Sequence, residues 1–157
     1  MARLGIISDT HGLLRPEALA FLRGCEHIVH GGDIGTAEVL AQLAAIAPVT
    51  AVRGNIDKGA WADALLETEL FEFKGAYIYA IHDLAQLDIE PSSAGVSVVV
   101  SGHSHKPAVE HREGVIYVNP GSAGPRRFRL PVAVAELVVN GAAVNARIVE
   151  LEVSDAA

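Results

Sequence analysis

The chain has 157 residues, half of them hydrophobic, and a formal net charge of −7. This length and composition suit one globular domain over residues 1–157 with a sizeable core. No apolar run approaches the roughly 18 residues that a membrane helix requires, and the acidic balance argues against general nucleic-acid binding. The chain begins with a strand-like segment rather than a secretory signal. Its single cysteine, Cys25, cannot form an internal disulfide and fits a reducing cytoplasm.

Strand and helix patterns alternate through the first part of the chain. Short apolar runs predict strands, and a period of 3.6 residues predicts helices. The predicted order is strand, helix, strand, helix, strand, over residues 4–7, 16–22, 27–29, 37–46 and 49–52. This alternation predicts parallel strands joined by right-handed helical crossovers.

The second part of the chain is dominated by antiparallel patterns. Lys74-Gly75, Glu113-Gly114 and Asn140-Gly141 each separate two strand-like runs and predict hairpins. The nearly continuous apolar run 96–100 predicts a central strand. We therefore expect an α/β fold with two packed sheets covered by helices. Only the last residues, 154–157, are expected to be frayed.

Polar side chains able to bind metal follow five predicted strands. These side chains are Asp9, Asp33, Asn55, His82 and His103. In open α/β sheets, ligands bind outside the carboxyl ends of the strands. We therefore expect these residues to meet at one edge of the sheet.

Two of the motifs contribute a second histidine. Asp9-Thr10-His11 and His103-Ser104-His105 each place two possible ligands two residues apart, which directs them to the same side of an extended chain. Glycines precede Asp33, Asn55 and His103, and they permit tight turns and close backbone approach. Taken singly, Gly-Asp and Gly-Asn are ordinary turn motifs. Their joint occurrence in this order predicts a centre for two adjacent metal ions.

The motifs Asp-x-His, Gly-Asp, Gly-Asn, a lone His and Gly-His-x-His resemble those of the calcineurin-like metallophosphoesterase superfamily. The short length, Gly54-Asn55-Ile56-Asp57 and Asn119-Pro120-Gly121-Ser122 look most like its small bacterial and archaeal phosphodiesterase branch. That branch is similar in fold to the retromer subunit of the same superfamily. The resemblance implies a four-layer α/β/β/α sandwich of two mixed β-sheets, of the metallo-dependent phosphatase type.

The resemblance also implies two overlapping ligand sets. The first metal would be held by Asp9, His11, Asp33 and His105, and the second by Asp33, Asn55, His82 and His103. Oxygen and nitrogen donors without a thiolate suit Mn²⁺, Fe, Zn²⁺ or Ni²⁺ and disfavour Ca²⁺. Two divalent ions, Mn²⁺ by resemblance, are the expected cofactors.

The implied reaction is in-line attack on phosphorus by a metal-bridging hydroxide. The expected catalytic residues are Asp33, Asn55 and His82, with Asp57 orienting ligands or accepting protons. The chain departs from the superfamily at Ile56, where many members carry a histidine that assists the leaving group. Isoleucine cannot donate a proton, so we expect a preference for good leaving groups. Ile81 stands where the family usually has Gly.

Several further residues have two interpretations. Asp57 and Asp83 either support the metal ligands or act as a helix cap and a solvated loop residue, respectively. His30 is a candidate lining residue of the site. Basic residues near the motifs could contact phosphate, although a salt bridge or exposure to solvent fits the sequence as well: Arg53, Lys106, Arg126, Arg127 and Arg129. The sequence Pro91-Ser92-Ser93-Ala94-Gly95 interrupts the helix that the family resemblance leads us to expect before the fifth ligand strand.

The sequence therefore predicts a dinuclear metal-dependent phosphodiesterase with a small phosphodiester as its partner. A non-catalytic protein-binding scaffold like the retromer subunit and a phosphomonoesterase are the alternatives. The natural substrate and the oligomeric state stay open, with a homo-oligomer among the options.

Overall fold

Two five-stranded mixed sheets form the frame of the computed structural model, which describes residues 1–127 and 129–153. The segment expected to be frayed, 154–157, lies outside the described residues. The elements in chain order are β1 (Ala2–Ile7), α1 (Pro16–Leu22), β2 (His27–His30), α2 (Ala37–Ala44), β3 (Val49–Ala51), α3 (Ala60–Asp63), β4 (Thr68–Phe73), β5 (Ala76–Ile81), a 3₁₀ turn (Leu84–Gln86), β6 (Val98–Val100), β7 (Ala108–Arg112), β8 (Val115–Asn119), β9 (Ala133–Asn140) and β10 (Ala143–Glu150).

The first sheet has the strand order β10-β9-β1-β2-β3. Strands β1, β2 and β3 are parallel, with Ile7 beside His30 and His30 beside Ala51, as the alternation of strands and helices predicts. The hairpin β9–β10 extends this sheet on the other side of β1 in antiparallel orientation. As a result, β1, β2 and β3 all end at the same edge.

The second sheet has the order β4-β5-β6-β8-β7 and contains the other two predicted hairpins. Lys74 and Glu113 adopt left-handed backbone conformations, with φ of 51° and 50°, and each is followed by a glycine with positive φ. Two such residues in succession are what a two-residue hairpin turn of type I′ requires. The hairpin predictions are therefore confirmed.

The main core lies between the two sheets. Alternate residues of β1 and β9 face alternate residues of β5, β6 and β8, because successive side chains of a strand point to opposite faces. Helices α1 and α2 cover the outer face of the first sheet through Leu22, Val39 and Leu43. Cys25 is buried in the same outer cluster and packs as a small apolar residue.

The outer face of the second sheet is covered differently. Leu84, Leu87 and Ile89, from the 3₁₀ turn and the irregular segment after it, pack on Tyr79 and Val99 of this sheet. The predicted fold class of two mixed sheets is confirmed, but a short turn and a loop form this outer layer in place of a long helix. Among the described residues, no helix is long and apolar enough to cross a membrane.

A buried carboxylate lies in the first sheet, away from the strand ends. Glu136 of β9 is 6% exposed and accepts hydrogen bonds from Arg3 on β1 and from Arg147 on β10, the latter at 2.7 and 3.0 Å. Burial raises the pKa of Glu136, but the two arginines outweigh burial and the pKa falls below its usual range. The carboxylate is therefore ionised in the folded protein at neutral pH.

We expect Glu136→Gln to lower the free energy of unfolding at pH 7 by about 1–3 kcal/mol, because two arginines lose a charged acceptor. Since the folded-state pKa is depressed, this stabilisation is present above the unfolded-state pKa and is lost as pH falls through the folded-state pKa. Urea unfolding at pH 7 and pH 3 should show the difference from wild type shrinking at the lower pH. Glu72→Gln, on the exposed side of β4, is the control. An equal loss at both pH values would contradict this prediction.

Candidate metal centre

The predicted ligands lie at the carboxyl ends of strands from both sheets. Asp9 and His11 follow β1, Asp33 follows β2, and Asn55 follows β3. His82 directly follows β5, and the His103 and His105 pair follows β6. The expectation that all ligands meet at the edge of one sheet is therefore wrong. The two sheets pack face to face, so the strand ends of both open onto the same site.

Six of the seven predicted ligands form two compact groups. Asp9, His11 and His105 each offer one atom, and these atoms lie within 4.8 Å of one another. Asp33, His82 and His103 form a second group by the same measure. The grouping follows the two ligand sets that the resemblance implies, with Asp33 assigned to the second group by distance.

Asp33 connects the two groups through one oxygen. Its Oδ2 lies 3.3 Å from Nε2 of His82 and 3.7 Å from Nε2 of His11. Its Oδ1 instead accepts a hydrogen bond of 3.2 Å from the backbone N–H of Ile56. One oxygen of Asp33 is thus held by the backbone while the other lies between histidines of both groups.

Asn55, the seventh predicted ligand, is exposed at the rim of the site. It lines a cavity of about 270 Å³ together with Gly54 and His82. Asn55 therefore adjoins the second group from the solvent side.

Buried polar atoms at the centre show that the residues fit metal ions. Among the described residues, four buried side-chain atoms have no hydrogen-bond partner: Oδ1 of Asp9, Nε2 of His11, Nε2 of His82 and Nδ1 of His105. Leaving such atoms unsatisfied costs about 1–3 kcal/mol each. All four belong to the predicted ligands, and mixed nitrogen and oxygen donors suit divalent transition metals. A bound cation would give these unpaired nitrogen and oxygen atoms a partner.

Neighbouring groups hold the candidate ligands in fixed orientations. Nδ1 of His82 donates to the Gly31 carbonyl at 2.7 Å, which directs Nε2 into the site. Oδ2 of Asp9 accepts from Ser8 Oγ at 2.7 Å and from the His103 N–H at 3.1 Å, which leaves Oδ1 for the site. Metal-binding side chains are commonly oriented by such second contacts.

The charges at the centre favour an ionised Asp33. Burial raises the pKa of Asp33, but the adjacent imidazole of His82 outweighs burial, and the pKa falls to about 2. Burial lowers the pKa of His82, but Asp33 and the Gly31 carbonyl outweigh it and raise the pKa. Burial raises the pKa of Asp9, and a nearby cation would favour its charged form.

Most of the candidate ligands have an uncommon backbone conformation. In the described part of the chain, seven residues other than glycine have a positive φ, and two of them are the hairpin residues Lys74 and Glu113. The other five are all predicted ligands, with φ between 49° and 72°: Asp9, His11, Asp33, His103 and His105. Left-handed backbone is costly for such residues and persists where the surroundings enforce it, often at functional sites.

Gly54 allows the loops after β2 and β3 to meet. A Cβ atom at this position would collide with the backbone nitrogen and Oδ1 of Asp33. The glycine before Asn55 is therefore required by the close approach of Asp33 to the loop after β3.

His30 lies beneath the site and does not reach its surface. It is fully buried, with Nε2 at 3.0 Å from Thr10 Oγ1 and Nδ1 accepting the Gly32 N–H at 3.1 Å. Thr10 Oγ1 donates to the Ile34 carbonyl at 2.8 Å, so His30 Nε2 is the donor to Thr10. Burial lowers the pKa of His30 to about 3, which agrees with a neutral ring. His30 joins the two loops that carry Asp9, His11 and Asp33. The expectation that it lines the site is therefore wrong.

Asp57 also connects loops. Its carboxylate is 4% exposed and accepts hydrogen bonds from the backbone N–H groups of Ile34, Gly35 and Gly54 at 2.8 to 3.0 Å. These contacts make Asp57 a positioning residue for the Asp33 and Asn55 loops. The helix-cap interpretation is wrong, because the N-cap of α3 is Gly59.

Asp83 combines two roles. Its Oδ1 accepts from the Ala85 N–H at 3.0 Å and caps the 3₁₀ turn, while its Oδ2 lies 3.9 Å from Nε2 of His103. It is therefore both a loop residue and a neighbour of a candidate ligand.

Two residues that the motifs did not single out individually support the ligand loops. Asn119 donates to the Gly102 carbonyl at 3.0 Å, and Ser122 donates to the Asp9 carbonyl at 3.0 Å. The Asn-Pro-Gly-Ser sequence at the end of β8 could have indicated these two residues. Strand β8 runs parallel to β6 and ends beside it, so its end lies next to the loop that carries His103 and His105.

The basic residues near the motifs differ in position. Arg53 lies 3.5 Å from Glu67, which agrees with the salt-bridge interpretation. The charge of Arg127 contributes, after burial, to the lowered pKa of His105 and places Arg127 near the first group. Arg126 and Arg129 are exposed.

The two isoleucines at which the chain departs from the superfamily differ in exposure. Ile81 is buried and packs in the outer cluster of the second sheet, whereas Ile56 is 44% exposed.

Comparison with known proteins identifies the family. Residues 2–140 match the model of the calcineurin-like phosphoesterase superfamily domain. A probable metallophosphoesterase of Methanothermobacter thermautotrophicus is 34% identical over 159 residues, covering 93% of this chain and 91% of the relative. The chain belongs to the calcineurin-like phosphoesterase superfamily, and its family implies divalent metal ions.

Solved structures share the fold. Vps29 of Chaetomium thermophilum has a TM-score of 0.83 at 18% identity, covering 99% of this chain and 91% of that protein. An archaeal phosphodiesterase has a TM-score of 0.77 at 21% identity, covering 94% of this chain and 99% of that protein. At these identities the similarity establishes the fold.

Proposed function

We propose that this metallophosphoesterase is a phosphodiesterase with a dinuclear metal centre. The observation that carries the proposal is the position of Asp33 Oδ2, 3.7 Å from His11 and 3.3 Å from His82, between two ligand groups. A carboxylate shared in this way suits two ions about 3.5–4 Å apart. The four unsatisfied buried atoms at the same place support a cation-binding role.

The proposed ligands fall into two sets that share Asp33. One ion would be bound by Asp9, His11, Asp33 and His105, and the other by Asp33, Asn55, His82 and His103. We propose Mn²⁺ as the native metal, with Fe, Zn²⁺ and Ni²⁺ also suited to these donors. Bound ions would lower the pKa of water towards neutrality and offset the charge of the phosphoryl oxygens.

The protein's own residues hold this site in place. The Gly31 carbonyl orients His82, and Ser8 and the His103 N–H orient Asp9. Asp33, Asn55 and His82 are the proposed catalytic residues, while Asp57 acts through the loops that it positions. The two ionised aspartates leave the metal-loaded centre net positive, which would attract a phosphate anion to an acidic protein.

Ile56 limits the range of leaving groups. Its backbone N–H donates to Asp33 Oδ1, so the residue adjoins the shared carboxylate, and its side chain is exposed. Isoleucine has no proton to give to a departing alkoxide. We therefore propose that the substrate is a small phosphodiester with a good leaving group, hydrolysed in the cytoplasm.

A non-catalytic protein-binding scaffold is the second candidate, and the similarity in fold to Vps29 favours it. A scaffold has no use for two ligand groups joined through one carboxylate, and this chain retains both. We therefore favour catalysis.

Metal removal and replacement would test the proposed function. Chelator-treated protein should not hydrolyse bis(4-nitrophenyl) phosphate, and added Mn²⁺ should restore turnover. The rate on this diester should exceed the rate on 4-nitrophenyl phosphate. A faster rate on the monoester would indicate a phosphomonoesterase, and no turnover of any diester at saturating Mn²⁺ would indicate a scaffold.

Replacing Ile56 by histidine should raise activity on diesters with poor leaving groups, because an imidazole can protonate a departing oxygen. General acid catalysis typically contributes about 10²–10⁴-fold, and a newly introduced group should recover the lower part of that range. The measurement is kcat/KM on alkyl and 4-nitrophenyl diesters. Ile56→Asn, similar in size but without an acid, is the matched control. An equal gain in both variants would show that protonation is not the cause.

A further inference from the structure

Two cavities adjoin the Asp33–His82–His103 group and share Asp83 in their lining. The first has a volume of about 260 Å³ and includes His103 and Tyr117; we call it the Tyr117 cavity. The second, of about 270 Å³, includes Asn55 and His82; we call it the Asn55 cavity. A phosphoryl group at this ligand group therefore has two separate cavities beside it. A phosphodiester has two organic groups to place.

The walls of the Tyr117 cavity are largely apolar. Tyr117 of β8 and Ala108 of β7 lie on the outer face of the second sheet, and Leu84 of the 3₁₀ turn also lines the cavity. The guanidinium of Arg112 lies 4.7 Å from the centroid of the Tyr117 ring. Aromatic rings and guanidinium groups both make favourable contacts with aromatic ligands.

The charged residues of the Tyr117 cavity largely offset one another. Arg112 is bound to Glu110 at 2.5 Å, so this pair adds no net charge. Lys106 also lines the cavity and offsets the charge of Asp83. An uncharged aromatic group is therefore compatible with this lining.

The Asn55 cavity has a different character. Three carboxylates line it, those of Glu67, Asp83 and Asp88, and its one arginine, Arg53, is paired with Glu67. This acidic lining disfavours a second phosphate, and its described residues include no Phe, Tyr or Trp. An aromatic group of the substrate is therefore better placed beside Tyr117.

On the basis of the phosphodiesterase function proposed above, we propose that the Tyr117 cavity binds an aromatic group esterified to the substrate's phosphorus. The occupant is of the aryl or nucleoside class. His103 of the ligand group lines the cavity, so the ester oxygen can remain at the ligand group while the ring lies against Tyr117, Leu84 and Ala108.

Binding of two non-hydrolysable diester analogues tests this proposal without turnover. Isothermal titration calorimetry of the Mn²⁺-supplemented protein compares dibenzylphosphinate with diethylphosphinate, in which P–C bonds replace the ester bonds. We expect dibenzylphosphinate to bind at least about tenfold more tightly, because a ring leaves water on entering the cavity. Ala108→Trp should remove this preference, since Ala108 lines the cavity and its position on β7 is exposed enough to accept a larger residue.

Ala143→Trp is the matched control, because Ala143 is an exposed alanine of the edge strand β10 in the other sheet. It should keep the wild-type preference. Tyr117→Leu provides a second variant and should reduce the preference without filling the cavity. Equal affinity of the wild type for the two phosphinates, or a full preference in Ala108→Trp, would overturn the proposal. An intact preference in a protein without hydrolytic activity would refute the proposed function alone.

Discussion

Replacing Asp33 by alanine is expected to lower kcat/KM for a phosphodiester by at least about a hundredfold, since even changes to residues that only orient metal ligands cost 10–100-fold. Asp33 lies between the two ligand groups. Its Oδ2 approaches His11 and His82, and its Oδ1 holds the Ile56 N–H. Alanine would remove the carboxylate oxygen that lies near a histidine side chain of each ligand group.

Metal content should change together with activity. Equilibrium dialysis followed by metal analysis should show that Asp33→Ala binds fewer divalent ions per chain than the wild type. Asp63→Ala, at the exposed end of α3, is the control and should keep both properties. Unchanged hydrolysis in Asp33→Ala would refute the assignment of the site.

Asp57→Asn is expected to lower both stability and metal affinity. The carboxylate accepts three backbone N–H groups, from Ile34 and Gly35 on one oxygen and from Gly54 on the other. An amide of the same shape must turn an NH₂ group towards one of these donors. The loss of a buried acceptor should cost about 1–3 kcal/mol in the free energy of unfolding. The displaced Asp33 and Asn55 loops should weaken metal binding by about 10–100-fold.

Urea unfolding in the presence of a chelator measures the stability effect apart from metal binding. A Mn²⁺ titration of the folded variant then measures the affinity. Asp63→Asn is the control for a generic effect of removing a carboxylate. A variant as stable as the wild type with full metal affinity would show that Asp57 does not position the loops.

Local patterns in the sequence predicted the hairpins and the parallel strands for identifiable reasons. Lys74-Gly75 and Glu113-Gly114 provide the left-handed pair that a tight hairpin needs, and this requirement acts within a few residues. Periodic apolar residues place Val39 and Leu43 on one buried face of α2. The C-terminal end of α2 was predicted less accurately, because the helix ends at Ala44, two residues before the predicted end.

The structure of the layer that covers the outer face of the second sheet could not be predicted from local sequence patterns. The Pro- and Gly-containing sequence 91–95 correctly indicated that no long helix would continue there. This sequence could not indicate that Leu84, Leu87 and Ile89 would cover the sheet, because that arrangement depends on the shape of the surface formed by Tyr79 and Val99.

The sequence by itself determined the identity and order of the candidate ligands, because each follows a recognisable strand and the ends of parallel strands lie together. Only the tertiary structure decided that the ligands come from two sheets and that one oxygen of Asp33 lies between His11 and His82. The same holds for the bonds of His30 to Thr10 and of Asp57 to Ile34, which join residues 20 and 23 positions apart. Hydrogen bonds over such separations are set by how the sheets and loops pack, and no local pattern specifies them.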